Sequence, residues 1–115
     1  MNDSEIDYKS SVAPDIKYNI LPEHIRAAMW RYIEFGVLPG HFLRAVIQDK
    51  LVESFGKADE VNEARMFDIA NFMYNEAPHP CRGSKEKMIE WNKLGGLRGL
   101  RDQDKAAKEK KPNGI

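Results

Sequence analysis

Pro78 and Pro80, separated by a single residue, constrain the fold of this chain more than any other feature. Each fixes its own φ and lacks a backbone donor, so neither a helix nor a central strand can run through them. The stretch they sit in, A-P-H-P-C-R-G-S-K-E-K from Ala77 to Lys87, also holds the only cysteine and one of the three histidines. It must be a shaped connection. Gly83 permits a turn, and Ser84 suits the N-cap of a helix over residues 85–94, which offers Met88, Trp91 and Leu94 before the Gly95-Gly96 pair stops it.

Three helices are predicted ahead of this connection. The first runs from Pro22 to Phe35, with Ile25, Met29, Tyr32 and Ile33 on one face and Gly36 as its stop. Trp30 and Phe35 lie off that stripe, which implies either a second buried side or an aromatic surface for a partner. After Val37-Leu38-Pro39-Gly40, a second helix starts near His41, buries Leu43, Val46, Ile47, Leu51 and Phe55, and ends at Gly56. A third follows Asp59 and is apolar nearly all round from Met66 to Tyr74, the pattern of a central, most buried helix. No strand-like alternation, internal repeat or heptad is present. The expected fold is all-α, a compact bundle of about four short helices. Residues 1–21 are read as an N-terminal arm, 22–96 as the helical domain, and 97–115 as a basic, mobile tail without an apolar face to dock.

Charge narrows the partners. Of the 115 residues 31% are charged, yet Lys plus Arg and Asp plus Glu both total 18. The folded part therefore carries no strong global attraction to nucleic acid or anionic membrane; only residues 97–115, with six basic and three acidic groups, are net basic. A helix-turn-helix reading through Arg44, Gln48 and Lys50 is opposed by Asp49 and Glu53 on the same helix. One cysteine cannot form an internal disulfide, and the first residues lack a secretion pattern, so a cytoplasmic location is expected. No apolar run approaches the roughly 18 residues of a membrane span.

No pattern names a reaction. His24, His41, His79 and Cys81 lack the second paired set that a zinc site needs, so no metal and no cofactor are expected. Cys81 with His79 as base is outweighed by a thiol packed under the turn. Asp68 and Glu76 on the third helix are read as ion-paired or solvated rather than catalytic. An anion site stands up better. Arg82, Gly83, Ser84 and Lys85 place two cations, a hydroxyl and backbone amides within one turn, and Tyr74 and Asn75 lead into the same loop. Arg44 and His79 complete the candidate set.

Residues 22–96 resemble a family of small, uncharacterised proteins of tailed bacteriophages and prophages. The elements that carry the likeness are Pro39-Gly40-His41-Phe42-Leu43-Arg44-Ala45-Val46, A-D-x-x-N at 58–62, Y-N-x-x-P at 74–78 and G-S-x-E-K at 83–87. Where relatives carry a tryptophan before the G-S pair, this chain has Arg82, which makes the site more basic. The resemblance implies a phage protein acting in the host cytoplasm and assigns no activity. Joined to the anion site, it leads to the expectation of a non-enzymatic accessory protein that sequesters a nucleotide immune signal, a homo-oligomer being one form this could take. The alternative is an inhibitor of a host protein that uses Trp30, Phe35 and Trp91 as its surface.

Overall fold

The computed structural model describes residues 6–109, and every regular element among them is helical. Seven α-helices follow in order: α1 (Glu23–Phe35), α2 (His41–Ile47), α3 (Leu51–Lys57), α4 (Glu60–Ala64), α5 (Met66–Asn75), α6 (Lys85–Leu94) and α7 (Gly96–Glu109). Single turns of 3-10 helix stand at Tyr8–Ser10, Tyr18–Ile20 and His79–Cys81. The all-α class is as expected; the count of about four helices is corrected to seven.

Two of the extra helices come from breaks that no glycine or proline marks. The predicted second helix divides because Asp49 adopts φ 62°. The Lys50 N–H then bonds the Ala45 carbonyl at 3.0 Å and the Asp49 N–H bonds that of Val46 at 3.1 Å, the pairing of a Schellman C-cap with aspartate in the left-handed position. The break swings α3 away from the core. Leu43 and Ile47 are buried as expected, but Leu51 and Phe55, predicted to share their face, are 64% and 45% exposed. The predicted third helix divides at Arg65, whose guanidinium reaches the Ile20 carbonyl at 2.9 Å and pairs with Asp68. It is not the most buried helix. Ile69, Phe72 and Met73 are inside, whereas Phe67 and Tyr74 are 81% and 76% exposed.

The central position belongs to α1. Its predicted stripe of Ile25, Met29, Tyr32 and Ile33 is buried, and so are Ala27, Trp30 and Glu34 on its other sides. The N-terminal arm covers part of this second side. Ile6, Tyr18 and Leu21 join the core, and Ser11 accepts the Trp30 indole N–H at 2.8 Å. Trp30 and Trp91 are thus corrected from partner surface to core. Trp91 donates to the Tyr32 carbonyl at 2.9 Å and Asn92 donates to that of Gly36 at 2.7 Å, so side chains of α6 bond the last turn of α1 and its glycine cap.

The other side of α1 is closed by α7. The boundary placed at residue 97 falls within the first turn of this helix: residues 97–100 are partly buried, residues 101–108 continue the helix with exposed side chains, and residues 110–115 lie outside the described part. Gly36 and Gly96, both with positive φ, let the chains approach until a Cβ on Gly96 would lie 2.6 Å from backbone of Glu34 and Gly36. At this junction the carboxylate of Glu34, with no exposed surface, accepts the Arg98 Nε at 2.9 Å and the Val12 N–H at 2.9 Å. The Arg98 guanidinium lies 4.4 Å from the Phe35 ring centroid.

Removing one partner of a buried ion pair costs more than removing a partly exposed one, because a charge is left behind. Arg98→Met, which strands the Glu34 carboxylate, is expected to lower unfolding stability by about 3 kcal/mol. Glu34→Gln, which keeps an acceptor for Val12, is expected to cost only about 1 kcal/mol. Urea unfolding of both variants measures the order, and a smaller loss for Arg98→Met would contradict it.

Candidate functional site

The proline-bounded connection folds as the 3-10 turn at His79–Cys81 followed by three extended or turning residues. Its backbone is tied down at two points. The Tyr32 hydroxyl donates to the Cys81 carbonyl at 2.6 Å, and the Gly83 N–H donates to the Ile47 carbonyl at the end of α2 at 2.8 Å. Gly83 has φ 116°, which side chains other than glycine rarely tolerate. Ser84 caps α6, its hydroxyl accepting the Lys87 N–H at 3.1 Å. Gly83 and Ser84 therefore spend their polar groups on holding the turn. Asn75 bonds Asn71 on its own helix, and His79 is exposed and lines neither of the two pockets described below.

What remains of the predicted site is divided between two neighbouring pockets. The first is a groove of about 380 Å³ between α5 and the α2–α3 corner, with Val46, Ile69 and Met73 among its apolar lining. Arg82 and Tyr74 meet here, the guanidinium 5.8 Å from the ring centroid. The Arg82 side chain is 14% exposed, its nearest carboxylate oxygen, on Asp49, is 3.9 Å away, and its buried Nε has no hydrogen-bond partner. The guanidinium therefore lines the groove with one N–H sealed from water and unpaired, an uncommon state for a buried donor, and only its exposed edge is within reach of a ligand.

The second pocket, of about 250 Å³, is lined by His41, Arg44, Lys50, Glu53, Lys57 and Lys85 together with neighbouring residues. Arg44 is held in place by its Nε donating to the Pro39 carbonyl at 2.7 Å. Lys57 and Lys50 approach Glu53 at 3.1 and 3.7 Å, and these contacts, the Lys57 hydrogen bond foremost, lower the pKa of the Glu53 carboxyl. Lys50 lines both pockets. The chain thus brings Arg82 to Tyr74 and Arg44 to Lys85, but the four-residue turn Arg82–Lys85 does not act as one nest. Arg82 lines the groove and Lys85 the second pocket.

Asp49, Lys50, Glu53 and Lys57 were missed as site residues. Lys50, Asp49 and Glu53 were legible as charged residues on the predicted second helix; that they border pockets follows from the unmarked break at Asp49. The other candidates resolve structurally. Asp68 pairs with Arg65, and Glu76 accepts the Lys17 N–H at 2.9 Å. His24 contacts Asp59 at 3.0 Å. Among the described residues no three His, Cys, Asp or Glu side chains come together in a metal-binding arrangement, and no helix is long and apolar enough to cross a membrane. No family model, curated protein or solved structure matches the chain.

Cys81 is fully buried, and burial pushes its thiol up to about 12, with Arg82 opposing the shift only in part. It is no activated nucleophile. Because the folded state holds this proton where an exposed thiol would release it, the stability it carries is complete below the ordinary thiol range and is lost as pH rises towards 12. Native protein is expected to resist iodoacetamide near neutral pH, and Cys81→Ala is expected to flatten the fall of the urea midpoint between about pH 9 and 11. Rapid alkylation of the folded chain would contradict the buried, protonated thiol.

Proposed function

We propose that the protein is a non-catalytic binding protein that captures a phosphate-bearing nucleotide across the two adjoining pockets. The observation that carries this reading is the pairing of an apolar groove, edged by an exposed tyrosine and an arginine without a close carboxylate partner, with a cationic pocket that shares Lys50 with it. A base is flat and apolar on its faces and carries acceptors on its edge; it suits Tyr74 and the exposed edge of the Arg82 guanidinium. Phosphate suits Arg44, Lys50 and Lys85. Nothing in either pocket pairs a nucleophile with a base, which favours sequestration over turnover. The resemblance to small phage proteins points the same way, towards an accessory factor in the host cytoplasm that removes a nucleotide immune signal.

Calorimetry and thermal shift with cyclic dinucleotides and ADP-ribose-derived signals test this. Binding is expected to weaken about tenfold in Tyr74→Ala, from lost stacking. A loss of tenfold or more is expected in Arg82→Met, from a lost charged hydrogen bond. If no nucleotide in the panel binds, or both variants bind like the parent chain, nucleotide capture is wrong.

A second reading rests on a different observation. Val52 and Phe67, chain neighbours of the groove residues Leu51 and Met66, are 85% and 81% exposed and line no part of the groove, so a ligand confined to it leaves them uncovered. A host protein offering an apolar helix, with a carboxylate to meet Arg82 and Lys50, would cover it. The double variant Val52→Ser, Phe67→Ser separates the two: under nucleotide capture its calorimetric affinity for nucleotide stays at the parental value, whereas capture of a host protein on a column would be lost.

A further inference from the structure

We propose that Glu53 is the selector of the cationic pocket, a resident carboxylate that only a ligand with several negative charges in close array can displace, so that the nucleotide class taken is one with a pyrophosphate or longer phosphate chain rather than isolated phosphodiesters. This rests on the reading of the two pockets as a nucleotide site and names what that site accepts. Four cations, Arg44, Lys50, Lys57 and Lys85, line the pocket with a single carboxylate. Glu53 stands one helical turn from each of its two lysines on α3 and its N-terminal edge, 3.7 Å from Lys50 and 3.1 Å from Lys57. It therefore occupies two of the four cations in the empty pocket. Arg44 and Lys85 have no carboxylate partner among the described residues.

A singly charged group entering such a pocket meets two uncommitted cations and one repelling carboxylate, a weak net attraction at a solvent-exposed site. A pyrophosphate meets the same two cations with one phosphoryl group and competes for Lys50 and Lys57 with the other. Its charge, close to three near neutral pH, is set against all four cations once Glu53 is displaced. Exchange of Glu53 for a second phosphoryl oxygen keeps every lysine paired, so the cost of displacing the carboxylate is largely recovered. The exchange is available to no ligand whose charges lie far apart. Glu53 has the freedom for it: its side chain is 43% exposed, and no hydrogen bond from the core restrains it.

The test is calorimetric titration of the whole chain with inorganic pyrophosphate and with orthophosphate at one ionic strength. The parent chain is expected to bind pyrophosphate at least about tenfold more tightly than orthophosphate. Glu53→Gln is expected to raise orthophosphate affinity about fivefold and pyrophosphate affinity less than twofold, which narrows the preference. Glu23→Gln, the same charge change at a residue lining neither pocket, should leave the preference unchanged. Equal affinities in the parent chain, or a preference untouched by Glu53→Gln, overturn the selector while leaving nucleotide capture standing. Absence of binding by either probe to both parent and Glu53→Gln overturns the cationic pocket, and with it nucleotide capture across the two pockets.

Discussion

A carboxylate without access to water must have its charge met inside the fold, and the C-terminal end of α1 is built around meeting that of Glu34. One oxygen takes the Val12 amide from the N-terminal arm and the other takes the Arg98 guanidinium from α7. Segments separated by most of the chain are thereby fixed to one helix end. The contact ties down the first turn of α7, where Leu97 also packs against the core. Arg98 adds packing as well as charge, its guanidinium lying over the Phe35 ring.

The same helix end organises the site from a distance. Trp91 and Asn92 bond the last turn of α1 and its glycine cap, which places α6. Tyr32, one turn back, bonds the Cys81 carbonyl and so positions the connection that leads to Arg82. Burial raises the pKa of this tyrosine as it does that of Cys81, so both stay neutral and the region around the connection carries no buried negative charge to neutralise Arg82. The guanidinium is left with Asp49 at 3.9 Å and a tyrosine face, and the proposed ligand role of the groove rests on this incompleteness.

Much of the fold could be read along the chain. Pro22 and Glu23 begin α1, Gly36 ends it, and Ser84 and Gly95 bound α6, each for reasons local to a few residues. The stripe of α1 was legible because four apolar residues repeat at helical spacing. The failures share one cause. Asp49 and Arg65 break helices without glycine or proline, and their conformations are held by contacts distant in sequence or by hydrogen bonds specific to the turn. Each break reorients the residues after it, so Leu51, Phe55 and Phe67, on faces predicted to be buried, are instead exposed, and Leu51 lines the groove with Tyr74.

Local chemistry in the sequence by itself determined that the chain is all helical, that residues 77–84 form a shaped connection, that Ser84 starts a helix, and that cations gather near that start. Backbone stereochemistry and hydrogen-bonding capacity act over one or two turns and need no knowledge of the rest of the molecule. Only the tertiary structure decided that Arg82 and Lys85, three residues apart, serve different pockets, that Cys81 is an inert buried thiol, and that Glu53 stands among the cations of one pocket. Those outcomes depend on the angle at which α3 leaves α2 and on which groups lose contact with water, and both are set by packing between segments far apart in the chain.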